Sequence, residues 1–208
     1  MIKVILKGGL GNQMFQYAAG KALSLKKKTN LFLDLTFLKV RLPLKGFTAR
    51  DYELDLFDIP EKTGTFLNND FLDKYISYPL QLTYNRFLNK NYFSEGPNPY
   101  EFDNKFFDLN ACATIEGYWN NPKYFNKYEN EIKRTFDLDK FYDKKFETIE
   151  AEIKNKNSVS INIRRGDYLN SKHKDIFVIL NENYYKEAIS EIRNKLENLH
   201  FFVFSYDD

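Results

Sequence analysis

The sequence is poor in cysteine and histidine, the residues on which disulfide frameworks and zinc sites depend. Cys112 is its single cysteine, so no disulfide can form within the chain, and a reducing compartment suits the composition. His173 and His200 are its two histidines, and both lie far from any cluster of cysteine or acidic residues. Their spacing therefore matches no zinc site.

An excess of charge of one sign is also lacking. The chain has 31 lysines and arginines against 29 aspartates and glutamates, a net charge of +2, which is too small a basic excess for a nucleic-acid-binding surface. The basic run Lys26–Lys28 follows an apolar helical stretch and is typical of a solvated helix end. Contact with a membrane surface is the weaker alternative. We therefore expect no nucleic-acid partner and at most peripheral membrane contact.

Long hydrophobic runs are absent as well. No apolar stretch approaches the length of a transmembrane helix, and the apolar start over residues 1–6 is too short for a signal peptide. These features favour a cytoplasmic protein. Aromatic residues, by contrast, are abundant, with 20 Phe and 15 Tyr. Such side chains fill cores and also line sugar pockets, and core packing is the more frequent role.

The beginning of the chain has the pattern of an α/β fold. A buried strand is predicted over Ile2–Leu6, a helix from Asn12 to about Lys26 with Asn12 as its N-cap, and a second strand over Leu31–Leu35. A glycine-rich turn joins the first strand to the helix. This order of elements is typical of an α/β domain.

The middle of the chain is less regular. Residues 41–110 show little periodicity, and we expect short helices and loops there. A strand is predicted over Thr114–Tyr118, followed by helices over Pro122–Phe136 and Asp139–Lys154. The polar segment Lys154–Asn157 is the best candidate for a linker.

A second strand, helix and strand pattern follows this linker, over Ser158–Ile163, Tyr184–Leu196 and Phe201–Phe204. We therefore predict two domains, an N-terminal α/β domain over 1–153 and the start of a second domain over 158–208. Doubly wound domains need about 100 residues or more, and two strands with one helix cannot cover both faces of a parallel sheet. We accordingly expect the second domain to be incomplete and the reading frame to continue.

The glycine-rich turn is the first candidate for ligand binding. Gly8-Gly9-Leu10-Gly11-Asn12-Gln13 lies between a strand and a helix, where backbone N–H groups and the helix dipole favour an anion. Met14 stands where a dinucleotide fingerprint has its third glycine, and no P-loop Gly-Lys-Ser/Thr follows. A plain strand-to-helix turn is the alternative. A dehydrogenase with Asp34 as its ribose-binding acid is disfavoured by the glycine pattern.

The second candidate is Arg164-Arg165-Gly166-Asp167 at the carboxyl end of the predicted strand Ser158–Ile163. Ligands in open α/β sheets bind at such strand ends, and the planar fork of arginine matches phosphate oxygens. Asp167 would hold one arginine while the other binds a diphosphate. The alternative is a surface pair between an arginine and the aspartate.

A metal site and a general base are harder to place. Asp137 and Asp139 form a DxD pattern that can bind a divalent metal with a nucleotide diphosphate. They lie between two predicted helices, however, where aspartate is a common cap, so we expect no metal. No acidic residue is isolated enough to be chosen as the catalytic base.

Four blocks of residues occur together along the whole chain, and as a set they are far more specific than any single block. They are Gly8–Ala18, then Glu116–Trp119 with Lys123–Phe125, then Ile163–Tyr168, then Tyr184–Tyr185 with Phe201–Ser205. In order and spacing they resemble the bacterial α-1,2-fucosyltransferases of glycosyltransferase family 11.

The resemblance implies a GT-B fold, in which two Rossmann-like domains face a cleft, with 1–153 on the acceptor side and 158–208 as the start of the GDP-fucose-binding domain. It also implies an inverting, metal-independent transfer of fucose from GDP-fucose to the 2-hydroxyl group of a galactoside. GDP-fucose would be the donor substrate, a galactose-containing glycan the acceptor, and no cofactor would be required. By the same resemblance, Arg164 and Arg165 bind the donor diphosphate, and Gly11, Asn12 and Gln13 face the donor from the other domain.

The chain departs from the family motif at Asn162, where the family has histidine. Asparagine forms hydrogen bonds but does not titrate near neutral pH. The alternative function is therefore a fragment that binds a sugar nucleotide or a glycan without turnover.

Overall fold

The computed structural model describes residues 1–42, 49–98, 100–163 and 179–205. The chain divides into two compact units, Met1–Asp137 and Leu138–Asp208. Both contain parallel strands and helices, which confirms the predicted α/β class. The GT-B arrangement and the incompleteness of the second domain stay predictions.

The first unit is organised around a five-stranded sheet in which every pairing is parallel. Its strands are β1 (Ile2–Ile5), β2 (Leu31–Asp34), β3 (Lys62–Gly64), β4 (Tyr92–Ser94) and β5 (Thr114–Glu116). They lie in the order β3-β2-β1-β5-β4. The chain moves outward from β1 through β2 and β3, and it then places β4 and β5 on the other side of β1. The strand order therefore reverses between β1 and β5, and such a reversal opens a ligand crevice at the carboxyl ends of the strands.

The core lies on the central strands of this sheet. Val4 pairs with Leu33 on one side and Ile115 on the other, and all three are fully buried. This continuous burial is typical of parallel strands covered on both faces. Beside them, the ring of Phe106 lies 5.0 Å from that of Trp119 and 4.8 Å from that of Tyr124. Many of the abundant aromatic residues thus serve core packing.

The helix α1 (Leu10–Lys27) follows β1 and packs against it. Its N-cap is Gly9 rather than Asn12, so the predicted cap was wrong. The helix begins earlier because Gln13 N–H already donates to the Gly9 carbonyl at 3.1 Å, which places Asn12 in the first turn. Gly20 lies on the buried face, where an added Cβ would come 2.2 Å from Cγ2 of Val4. The close approach of α1 to the sheet therefore requires a glycine.

Two further helices, α2 (Asp70–Tyr75) and α3 (Ser77–Phe87), pack against each other. The buried face of α3 is polar and consists of Ser77, Gln81 and Asn85. Gln81 Nε2 donates to Oδ2 of Asp34 at 2.5 Å, which anchors the helix to the end of β2. Apolar residues at other positions of the helix are exposed, and Phe87 is 80% exposed. The buried face of α3 is thus polar, whereas the buried face of an ordinary surface helix is apolar.

The predicted helix over Pro122–Phe136 is three separate segments. These are 3-10 turns at Pro122–Tyr124 and Asn126–Tyr128, then α4 (Glu129–Thr135). The predicted helix over Asp139–Lys154 is likewise divided into 3-10 turns at Asp139–Phe141 and Lys144–Phe146, then α5 (Glu147–Asn155). The extended backbone of Tyr142 ends the turn at Asp139–Phe141, and the Asp143 side chain caps the next turn by accepting a hydrogen bond from Lys145 N–H.

The second unit contains a parallel strand pair, β6 (Asn157–Ile163) and β7 (Leu199–Ser205), and the helix α6 (Glu182–Arg193). All three elements were predicted, with bounds shifted by one to three residues. None of the described residues of this unit is fully buried.

The break between the two units comes after Asp137, earlier than the Lys154–Asn157 linker that the sequence suggested. At 154–157 the end of α5 packs against β6, and the predicted domain bounds stay predictions. The Ser158 hydroxyl also donates to the Ile153 carbonyl at 2.8 Å. The polar composition of 154–157 therefore reflects an exposed helix end.

Candidate functional site

A cavity of about 510 Å³ opens at the carboxyl ends of β1, β4 and β5 in the first unit. This is the edge at which the strand order reverses. Charged and aromatic side chains from these strands, from the residues that follow them and from α3 line it, namely Lys7, Arg86, Tyr92, Glu95, Glu116 and Tyr118.

Glu116, the last residue of β5, is the most buried acidic group in this cavity, with 9% of its side chain exposed. The Tyr92 hydroxyl donates to its Oε2 at 2.7 Å, and the Tyr78 hydroxyl donates to its Oε1 at 3.2 Å. Lys7 Nζ lies 3.7 Å from the same Oε1. Three groups from three different elements therefore hold this carboxylate in one position.

The two tyrosines act as hydrogen-bond donors to Glu116. Burial of their hydroxyl groups, reinforced by the charge of Glu116 and the hydrogen bond to it, raises the pKa of Tyr78 and of Tyr92 well above the ordinary range. Both hydroxyls consequently stay protonated at physiological pH and can donate only one proton each, which goes to Glu116.

Glu95, which follows β4, shapes the turn after β5. Its Oε2 accepts a hydrogen bond from Tyr118 N–H at 2.6 Å, and its Oε1 accepts one from Trp119 N–H at 2.8 Å. Trp119 has a left-handed backbone, with φ of 56°. A Cβ added to Gly117 would lie 2.5 Å from Cβ of Glu95. The turn thus depends on a glycine and a carboxylate, and it leaves the Tyr118 ring beside the cavity, with Lys7 Nζ 4.8 Å from its centroid.

The glycine-rich turn lies at the carboxyl end of β1, as predicted. Gly8 has φ of 79°, a conformation that favours glycine, and an added Cβ would meet Nδ2 of Asn12 at 2.4 Å. The Asn12 side chain therefore folds back over Gly8. Gly11 is exposed, and an added Cβ there would meet no atom within 4 Å.

Gln13 is fully buried, and its amide binds backbone groups. Nε2 donates to the Gly8 carbonyl at 2.9 Å and to the Asp51 carbonyl at 2.8 Å, while Oε1 accepts from Glu53 N–H at 3.0 Å. In this arrangement both amide protons are used within the protein. Gln13 thus positions the turn, and the predicted contact of Gly11, Asn12 and Gln13 with a sugar donor stays a prediction.

Gln16 is a second buried amide that the sequence analysis gave no role. Its Nε2 donates to the Lys7 carbonyl at 3.0 Å, and its Oε1 accepts from Lys7 N–H at 2.9 Å. This reciprocal pair fixes the backbone of Lys7, two residues beyond the end of β1, and the Lys7 side chain lines the cavity. The sequence signal that could have identified Gln16 is its place as a polar residue among the apolar positions of α1.

Arg164, Arg165 and Asp167 lie outside the described residues, directly after the last described residue of β6, Ile163. Their predicted roles at a diphosphate therefore stay predictions. The sequence analysis assigned no cavity role to Lys7, Glu95 or Glu116, although Glu116 begins one of the blocks that carry the resemblance.

Asp34 does not suit the role of a ribose-binding acid. It is fully buried, and its Oδ1 accepts hydrogen bonds from the Thr36 N–H at 2.9 Å and the Thr36 hydroxyl at 2.5 Å. Its Oδ2 is bound by Gln81. The Asp34 carboxylate is thus occupied by hydrogen bonds within the protein, which argues against a dinucleotide-binding dehydrogenase.

In the part of the chain that the structure describes, no group of three or more His, Cys, Asp or Glu side chains could hold a metal ion. Within the same residues, no helix combines the length and the apolar character needed to cross a bilayer.

Comparison with known proteins gives matches over almost the whole chain. The model of the family described as "Glycosyl transferase family 11" matches residues 1–208. An "Alpha-1,2-colitosyltransferase" of Escherichia coli is 32% identical over 208 residues, which cover 97% of this chain and 67% of that relative. An "O-antigen biosynthesis glycosyltransferase WbnK" of the same organism is 29% identical over 229 residues, covering 97% of this chain and 71% of the relative. No solved structure matches.

Proposed function

Because the chain belongs to glycosyl transferase family 11, we propose that it transfers fucose from GDP-fucose to the 2-hydroxyl group of a galactoside, with inversion and without a metal ion. Membership of the family implies a nucleotide-sugar donor and a glycan acceptor. The observation that carries the proposal is the match of the family model to residues 1–208. The names of the two relatives place them in colitosyl transfer and O-antigen biosynthesis, and we propose a comparable role in a cytoplasmic step of surface polysaccharide synthesis.

In the proposed reaction, the oxygen of the acceptor 2-hydroxyl forms a bond to the anomeric carbon of fucose as the bond from that carbon to the β-phosphate oxygen breaks. The hydroxyl proton leaves to a base, and the electron pair of the broken bond stays on GDP. Fixed donors aimed at this growing negative charge lower the barrier. Arg164 and Arg165 are the proposed donors in the second unit.

The first unit supports the proposal through the start of α1. The N–H groups of Leu10, Gly11 and Asn12 lie in the first turn of an 18-residue helix and have no carbonyl partner within it. No acidic residue occupies that first turn. The positive end of the helix dipole favours a phosphate here, although the Glu53 carboxylate is close, with its Oε2 3.7 Å from where a Cβ on Gly9 would lie.

The test is an assay of the chain with GDP-fucose and N-acetyllactosamine, with the product linkage assigned by NMR. We expect an α-1,2-fucosylated product, binding of UDP-sugars at least about tenfold weaker than that of GDP-fucose, and turnover unchanged by EDTA. A GDP-activated colitosyl donor is the necessary comparison, given the name of the first relative. Equal affinity for UDP-glucose, or loss of turnover on chelation that manganese restores, would contradict the proposal.

One observation favours a second candidate function, namely binding of a sugar nucleotide or glycan without turnover. Asn162 in β6 stands at the histidine position of the family motif and supplies no titratable group. GDP-fucose that binds in calorimetry but yields no product with any galactoside would support this alternative.

A further inference from the structure

We propose that the cavity at the carboxyl ends of β1, β4 and β5 binds one neutral hexopyranose unit of the acceptor glycan, with Glu116 accepting hydrogen bonds from sugar hydroxyls and Tyr118 covering one face of the ring. The identity of this ligand as an acceptor rests on the proposed function. The binding of a neutral sugar rests on the geometry of the cavity.

The charge balance of the cavity favours a neutral ligand. Two acidic side chains, Glu95 and Glu116, face two basic ones, Lys7 and Arg86. Lys7 and Glu116 are already paired at 3.7 Å, and both are largely shielded from solvent. An anion would meet two carboxylates, and a cation would meet an ammonium and a guanidinium. A polyol both donates and accepts hydrogen bonds and carries no charge, so it suits all four groups.

Glu116 retains hydrogen-bonding capacity toward the cavity. A carboxylate offers about four lone-pair sites, and in the described structure two hydroxyl groups use one site on each oxygen. Both tyrosine donors are committed to Glu116, and Lys7 neutralises part of its charge. The remaining sites can accept sugar hydroxyls without first reorganising the carboxylate.

Tyr118 supplies the apolar surface that a sugar ring needs. Tyr118 is 38% exposed even though its own N–H and that of Trp119 are both bound by Glu95. An aromatic face packs against the C–H groups of a pyranose and keeps its own position at little entropic cost. The cavity volume of about 510 Å³ also falls within the ordinary range for small-ligand sites.

The test measures sugar binding separately from transfer. Methyl β-galactopyranoside is the probe, and its binding to the full chain is followed by saturation-transfer NMR and titration, with and without GDP. Tyr118→Ala and Glu116→Gln should each weaken binding by about tenfold or more. Tyr100→Ala and Glu131→Gln are matched controls, since both residues are exposed and neither lines the cavity; they should bind as the parent chain does.

Each outcome separates this proposal from the proposed function. Loss of probe binding in Tyr118→Ala, with a raised acceptor KM and an unchanged donor KM, supports the cavity as the acceptor site. Probe binding without any transfer from GDP-fucose would remove the proposed function and leave the sugar site standing. Unchanged binding in a folded Tyr118→Ala, no probe binding by the parent chain, or tighter binding of inorganic phosphate than of the sugar would overturn the proposal. If Glu116→Gln does not fold, Tyr118→Ala decides alone.

Discussion

At the residue scale, the tyrosine hydroxyls that bind acidic groups link stability to alkaline pH. Tyr78 and Tyr92 donate to Glu116, and Tyr17 donates to Glu61 at 3.1 Å. Burial first, and then the neighbouring carboxylate, raises the pKa of all three tyrosines above the ordinary value. In the unfolded chain they ionise near pH 10.

We therefore expect thermal stability to be independent of these groups below about pH 10 and to fall as pH rises further. The sign follows from linkage, because above that pH the unfolded chain releases tyrosine protons that the folded chain retains. Melting curves between about pH 8 and 11, with phenolate absorbance recorded in parallel, measure the effect. Tyr92→Phe should make the decline shallower. A melting temperature that stays constant to pH 11 in the parent chain would contradict the assignment.

A second prediction at this scale concerns the proposed diphosphate site. Replacing the diphosphate-binding member of Arg164 and Arg165 with lysine keeps the charge but removes the fork. Turnover should fall by about a hundredfold, since the charge on the leaving group grows in the transition state. The lysine variant of the other arginine, and Asp167→Asn, should lower melting temperature and donor affinity together, because a partner charge is left unpaired.

Kinetics and melting curves on the three variants distinguish these roles, with the exposed Arg134→Lys as the control. Near-normal turnover and melting temperature in all three would show that the motif is a solvated loop, where an ion pair contributes at most about 1 kcal/mol.

At the element scale, the packing of α1 on the sheet depends on Gly20. Gly20→Ala would add a methyl group that overlaps the Val4 side chain, and overpacking of this kind lowers the free energy of unfolding by about 1–3 kcal/mol. Gly11 lies in the same helix with open space around it. Gly11→Ala should therefore leave the free energy of unfolding unchanged or raise it by up to about 1 kcal/mol. Urea unfolding followed by circular dichroism compares the two variants, and equal effects would show that Gly20 does not limit the helix-to-sheet distance.

The polar buried face of α3 gives a second prediction for an element. Gln81→Leu would remove the amide that donates to buried Asp34, and the unfolding free energy should fall by about 1–3 kcal/mol although the new side chain is more apolar. Leu80→Gln is the control, because Leu80 is 48% exposed, and its effect should stay within about 0.5 kcal/mol. Chemical denaturation checks both, and a more stable Gln81→Leu variant would contradict the structural role of the amide.

The same helix shows where sequence patterns fail. β1, α1 and β2 were predictable because their apolar residues follow the pattern of the element. The strands β3 and β4 have three residues each, too few for any periodicity. They form by pairing with the outer strands of the sheet, β3 with β2 and β4 with β5. The inward face of α3 is defined by partners such as Asp34, which lies 47 positions away from Gln81. No local pattern contains that information.

The candidate site was predictable to a similar degree. The glycine-rich turn was found because a turn signal and a helix start lie next to each other in the sequence. The cavity was not found, since Lys7, Glu95 and Glu116 meet only when β1, β4 and β5 become neighbours. Gln13 was assigned a ligand role and Gln16 no role, because burial of an amide against backbone groups cannot be seen in a sequence.

At the scale of the whole molecule, burial is unevenly distributed between the two units. Every fully buried residue among those that the structure describes lies in Met1–Asp137. Backbone amides open most rarely where buried apolar contacts are dense. Hydrogen exchange followed by mass spectrometry should therefore show slow exchange in peptides from β1, β2 and β5 and faster exchange in peptides from β6 and β7. Equal protection of β6 and β1 would show that the second unit has a core of its own.

The turn that follows β5 also bears on how the protein can diverge over evolutionary time. Gly117 and Trp119 are tied to Glu95 and to the core, so mutations at either would be removed by selection for folding. Tyr118 stands between them and is 38% exposed. Under the proposed acceptor role of the cavity, drift toward a new acceptor would pass through this single position, and a gene lineage that changes its glycan should record the change at Tyr118 before anywhere else in the turn.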